Sequence, residues 1–257
     1  MADQTDLPDE VALLWGLREA PRKGPKPSLT AGDITRAAIE LADAEGLAAV
    51  SMSRVAAQLG NSTMALYRHV KSKDELLTLM LDAALEEPPD LPGDTDWRSG
   101  LTLWTHGVLA AIKQHPWYAQ LPLGGPPVGP QNLAWFECAL AALSRTALEE
   151  HEKVGVVMGL LTYVHGQVRL SSALAAGYAK NPDAFSRQYA AVLTRVVDPR
   201  RMPALGKVLA AGVFDVDSLL EEQDADADFD FGLTLYLDGL AGFLATRTPS
   251  TVSAPSP

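Results

Sequence analysis

The chain has 257 residues, 47% apolar and 21% charged, with a formal net charge of −11. That composition allows a substantial core, and its single cysteine, Cys138, excludes a disulfide framework. The acidic start MADQTDLPDEVALL lacks the basic-then-apolar order of a signal peptide, and no uncharged apolar run approaches the roughly 20 residues of a membrane helix, so a cytoplasmic protein with no membrane partner is expected.

Charge is unevenly placed along the chain. Acids crowd Glu221–Asp230, whereas bases dominate Arg22–Lys26 and Ser51–Lys73, the second stretch having no acid before Asp74. The net charge taken alone argues against nucleic-acid binding, but distribution matters more than the sum, and a locally basic N-terminal module on an acidic body points toward it.

Residues 1–28 read as a flexible basic arm. PRKGPKPS has three prolines and a glycine and cannot be a regular helix, although a short amphipathic helix around Val11, Leu14, Trp15 and Leu17 can precede it. Residues 29–86 read as a helix-turn-helix DNA-binding domain. Its first helix begins near Thr30, where Thr30 and Asp33 resemble a capping box; Ile34, Ala37, Ala38 and Leu41 share one face, and Gly46 suits the left-handed residue that ends a helix. A second helix runs from Ser51 to Leu59 and stops at Gly60. A third is capped by Ser62 and extends to about His69, and a fourth starts at Ser72, which forms a full capping box with Glu75.

Glu86–Asp96, rich in proline and acids, reads as a linker. Only helical periods follow: Trp97–Gln114, Gln131–Leu148, His151–Ala176, Asp183–Val197, Met202–Gly212 and, after an acidic loop, Phe229–Ala245. Residues 97–246 are thus expected to form a larger helical domain, and 247–257 a disordered tail. The fold class is all-α: an N-terminal three-helix helix-turn-helix domain plus a larger helical domain.

Two short helices about a glycine turn place the second in the major groove with its first residues at base edges. Those residues are Thr63, Met64 and Ala65, with Thr63 able to hydrogen-bond a base and the other two able to touch thymine methyls. Tyr67, Arg68, His69 and Lys73 can reach phosphates, and Ser53 and Arg54 a flanking phosphate or base. The alternative is a plain three-helix packing unit with solvated bases.

Leu59-Gly60, Leu66-Tyr67-Arg68-His69 and Lys71-Ser72-Lys73 carry a resemblance: Leu29–Leu85 resembles the N-terminal domain of the TetR family of repressors. The remainder resembles the tetracycline-repressor type of C-terminal domain in helix pattern rather than motif. The resemblance implies base reading by Thr63, Met64 and Ala65 and phosphate contacts by Tyr67, His69 and Lys73. Asn61 departs from the apolar residue usual there. Arg22, Lys23 and Lys26 resemble arms that enter a minor groove, a solvated tail being the alternative.

The resemblance also implies a homodimer joined through two C-terminal helices. The candidate stripes are Val154, Val157, Leu161, Val164 and Val168, and Leu233, Leu237, Leu240 and Leu244; the alternative is that both are intramolecular core. For a small-molecule effector the candidate ligand-binding residues are Trp104, His106, Trp117, Trp135, Phe136, Met158, Tyr163, His165 and Arg169, although aromatic residues at helical spacing serve equally as core. No spacing specifies a metal and no cofactor is expected. Without a Gly-rich phosphate loop, G-x-S-x-G, H-E-x-x-H or CxxC pair, no catalytic residues are assigned. The expected protein is a transcriptional repressor that binds a palindromic operator and is released by a small molecule. The alternatives are a constitutive DNA-binding factor and, behind it, a helical enzyme.

Overall fold

The structure, a computed structural model, describes residues 7–17, 29–121, 128–181, 187–214 and 222–247. Among the described residues there are eleven α-helices and no strand: α1 Asp9–Leu14, α2 Ala31–Glu45, α3 Met52–Gln58, α4 Thr63–Tyr67, α5 Lys73–Ala83, α6 Trp97–Gln114, α7 Pro130–Ala142, α8 Glu150–Lys180, α9 Arg187–Val196, α10 Pro203–Ala210 and α11 Glu222–Ala245. Short 3₁₀ turns occupy Leu47–Ala49 and Tyr118–Gln120. The chain divides into two compact units between Val164 and His165, within α8.

In the first unit, α2 starts on the expected capping box: Asp33 N–H donates to Thr30 Oγ1 at 3.1 Å, and Thr30 N–H to Asp33 Oδ2 at 3.1 Å. Ile34, Ala37, Ala38 and Leu41 are buried, as their spacing requires. Gly46 departs from expectation in detail: φ 83° and ψ 163° place it in an extended region of positive φ that is nearly glycine-only, rather than in the left-handed helix. The Ser72 hydroxyl accepts from Glu75 N–H at 3.0 Å, while the Glu75 carboxylate accepts from the Lys71 N–H.

Part of residues 1–28 corrects the flexible-arm expectation. Residues 9–14 are helical, α1 packs on α5, Asp9 pairs with Lys71, and Trp15 Nε1–H donates to Val128 C=O at 2.8 Å. The expected linker is also held down, along α7. Trp135 Nε1–H donates to Glu86 C=O at 2.7 Å, and Arg145 Nη2–H to Thr95 C=O at 2.8 Å. Gly107 permits this packing, because a Cβ there would lie 2.9 Å from the Trp135 ring.

Several ends shift. α7 stops at Ala142, not Leu148: Leu143 turns into the core and its carbonyl accepts from Thr146 Oγ1–H at 2.7 Å. α8 runs on to Lys180, and α11 begins at Glu222, absorbing most of the acidic segment expected as a loop. The tail expected to be disordered lies outside the described residues from position 248 on.

In the second unit α9 packs on α10, with the rings of Tyr189 and Phe214 edge-on at 5.7 Å. No helix among the described residues is long and apolar enough to cross a membrane.

Candidate nucleic-acid interface

Three N-caps build the reading surface from local sequence. Ser51 accepts from Arg54 N–H at 3.3 Å, Ser62 from Ala65 N–H at 3.2 Å, and Ser72 from Glu75 N–H at 3.0 Å, so α3, α4 and α5 each start on a serine. Between α3 and α4 the chain reverses through a Schellman motif: Asn61 N–H bonds Ala56 C=O at 2.9 Å and Gly60 N–H bonds Ala57 C=O at 3.1 Å. Gly60 takes φ 64°, which suits glycine. The Asn61 side chain, out of step with an apolar core position, finds a polar use: its Nδ2–H donates to Leu59 C=O at 2.8 Å.

Val55, Leu66 and Val70 are wholly buried, which turns the opposite face of α4 outward. Met64 is 72% exposed and Tyr67 43%; Thr63, Ala65 and His69 are half-buried, and Arg68 and Lys73 exposed. α4 closes at Tyr67, two residues before the expected end, but Val70 N–H still bonds Leu66 C=O at 2.9 Å, so Arg68 and His69 continue the turn. Ser53 and Arg54 lie exposed on the first turn of α3. Arg54 pairs with Glu45, a neighbour that a phosphate would have to displace. Arg22, Lys23 and Lys26 lie outside the described residues.

The expected ligand residues fall in both units. Trp104, Trp117 and Trp135 are core, and each indole N–H already has an acceptor: Trp135 C=O at 2.7 Å, Asp43 Oδ1 at 2.6 Å and Glu86 C=O at 2.7 Å respectively. Each satisfied, buried indole is a packing element of the first unit. His106 and Met158 are exposed, and Phe136 and Tyr163 half-buried, in the first unit. In the second, His165 is buried and Arg169 exposed; burial, then the Arg169 charge, holds the His165 imidazole below its ordinary pKa. The second unit also holds a cavity of about 240 Å³ lined by Thr194, Val197, Pro199, Gly206, Leu209 and Ala210, none of them an expected ligand residue.

The dimer stripes are corrected too. Val157 and Val164 of α8, and Leu233, Leu237 and Leu240 of α11, are buried within the single chain. The apolar side chains left outside are Val154, Met158, Leu170 and Leu174 on α8 and Phe231, Leu235 and Phe243 on α11.

Two acids were missed by sequence reasoning. Asp43 of α2 takes both His115 and Trp117, and Asp82 of α5 caps α7. Neither pairing has a sequence signal, since each joins residues about fifty or more positions apart.

Comparison with known proteins bears on this surface. Residues 34–80 match the family described as bacterial regulatory proteins, tetR family, and residues 88–244 the tetracyclin repressor-like C-terminal domain. The chain is 37% identical over 252 residues to the HTH-type transcriptional repressor DrrR1 of Streptomyces coeruleorubidus, covering 94% of this chain and 88% of that one. Among solved structures it is similar to ActR of Streptomyces coelicolor in complex with (S)-DNPA, at 25% identity and TM-score 0.69, covering 84% and 98% of the two chains. It is likewise similar to ActR in complex with actinorhodin, at 26% identity and TM-score 0.66, covering 83% and 98%.

Proposed function

The chain belongs to the tetR family of bacterial regulatory proteins, and from that premise we propose that it is a repressor that binds a palindromic operator as a homodimer and is released by a small molecule. The observation that carries the reading is the outward tip of α4. An apolar Met64 side chain is held in solvent between Thr63 and Ala65, beside an exposed Tyr67 and Lys73. Met64 and Ala65 suit thymine methyls, Thr63 a base edge, and Tyr67, Arg68, His69 and Lys73 the phosphates on either side. Ser53 and Arg54 flank them, and Arg22, Lys23 and Lys26 supply a further basic contact.

Two such helices must meet major grooves about 34–36 Å apart, which calls for two copies of the chain. The outward side chains of α11 support the second copy: Phe231, Leu235 and Phe243 are exposed, and a Cβ at Gly239 or Gly242 would meet nothing within 4 Å, leaving room for a partner helix. ActR in complex with small molecules supports a small-molecule effector. In the first unit, the exposed His106 and Met158 and the half-buried Phe136 and Tyr163 are candidates to meet one.

Selection of binding sites from random DNA tests the reading, and a palindrome is the expected product. The selected duplex is then titrated across salt concentrations, and Lys73→Ala lowers the slope of log K against log salt by about 1.8 for the dimer if each copy holds one phosphate. No preference for any duplex at low salt, or undiminished binding by the Tyr67→Ala, Lys73→Ala double variant, overturns it. Actinorhodin serves as the first effector probe, with release of the duplex as the readout.

A further inference from the structure

Asp43 lies near the C-terminal end of α2. Its Oδ1 accepts the Trp117 Nε1–H at 2.6 Å and faces His115 Nδ1 at 2.8 Å. His115 is the residue on which α6 ends, its main-chain N–H bonding Ala111 C=O at 3.2 Å. Trp117 is 2% exposed, while the Asp43 side chain is 35% exposed, so a buried donor is met by a carboxylate reaching in from the surface. The two rings stand 5.6 Å apart, and the chain beyond them is rooted by buried Tyr118, Ala119 and Leu121. Through this oxygen α2 is tied to the residues that follow α6.

From Asp43 the connection to the reading helix is rigid. α2 packs on α3 and α5, and α3 on α4. Two side-chain pairs reinforce the first of these contacts, Arg54 with Glu45, and Gln58 Nε2–H donating to Glu40 Oε2 at 2.9 Å. A shift of the end of α6 therefore arrives at α2 and is passed on to α4 by packed helices.

We propose that Asp43 is a positioning residue of the regulatory response: through His115 and Trp117 it ties the end of α6 to α2, so that displacement of α6 and docking of α4 on DNA are coupled. The inference rests on the repressor reading. Coupling between two sites is reciprocal, so DNA bound at α4 must alter α6 even with no effector present. That makes it testable without knowing the effector.

The experiment is amide hydrogen exchange on the full chain, unaltered and as Asp43→Ala and Asp43→Asn, with and without a duplex selected from random DNA. Without DNA, Asp43→Ala speeds exchange over residues 108–118 by about tenfold or more, because opening there no longer breaks the tie. With DNA, the unaltered protein slows exchange over the same residues, Asp43→Ala binds the duplex without that slowing, and Asp43→Asn, which keeps an oxygen for the indole N–H, restores it. A merely structural role would leave the DNA-dependent slowing in place. Equal slowing in Asp43→Ala and the unaltered protein overturns the proposal, as does no slowing in unaltered protein that binds DNA. If the unaltered protein binds no duplex, the repressor reading falls and takes the transmission with it, a result distinct from either of those. Trp117→Phe, which removes the donor and keeps the bulk, is judged by the same criteria should Asp43→Ala fail to fold.

Discussion

The Asp82 carboxylate of α5 accepts the Asn132 main-chain N–H at 2.9 Å, capping the start of α7 from a different helix. The same oxygen takes Asn132 Nδ2–H at 2.9 Å, and the other takes Gln131 N–H at 3.4 Å. The N-cap position itself is Gly129, where a Cβ would fall 2.1 Å from Asp82 Oδ1. The capping side chain is supplied from outside because the local residue has to be absent.

Asp82→Ala strips the cap and leaves buried N–H groups unmet, at a cost of about 2 kcal/mol. In a chain of this size that lowers the melting temperature by roughly 4–8 °C. Gly129→Ala forces the same carboxylate away and has a similar effect. Because both act on one interaction, the double variant costs less than the sum of the two singles, which thermal unfolding followed by circular dichroism will measure.

Two glycines end helices in different backbone states, and their alanine variants separate accordingly. Neither Gly46 nor Gly60 has an atom within 4 Å of an added Cβ, so any cost is the backbone's own. Gly60, at φ 64°, is left-handed, and alanine there costs about 1 kcal/mol. Gly46, at φ 83° and ψ 163°, is in a region nearly closed to side chains, and alanine costs nearer about 3 kcal/mol. Equal losses in denaturant titration would contradict this assignment.

Acid destabilises the protein through His165. Its pKa in the folded chain lies below the ordinary 6.5 because burial, and then the Arg169 charge, disfavour the imidazolium. The unfolded chain binds the proton more readily, so the contribution is present above the unfolded pKa and is lost as pH falls through the folded one. Denaturation from pH 7.5 down to 5 will show stability falling, and His165→Gln will flatten that fall. A variant with an unchanged pH profile would remove His165 as the cause.

Neighbouring leucines of α11 answer different questions. Leu237 is 2% exposed, and Leu237→Ala costs about 2–5 kcal/mol at any protein concentration. Leu235 is 57% exposed, and Leu235→Glu leaves the folded chain intact while shifting it from dimer to monomer in sedimentation equilibrium. Loss of helicity in Leu235→Glu would place that side chain in the core instead.

What one turn of chain can express was already legible in the residues. Thr30, Ser51, Ser62 and Ser72 announce helix starts, Gly46 and Gly60 announce stops, and α6 runs from Trp97 to Gln114 as its period requires, because caps and amphipathic faces are written in neighbours three or four residues apart. The reading surface followed from the same local rules: burying Leu66 and Val70 leaves Met64 and Tyr67 outside. Periodicity marks that a leucine is buried but not by what, so tertiary packing alone decided that Leu233 and Leu237 belong to their own chain and Leu235 faces outward. It alone also brought Asp43 to Trp117 and Asp82 to Asn132, because a carboxylate meets a distant donor only where the folded helices carry the two within hydrogen-bonding reach.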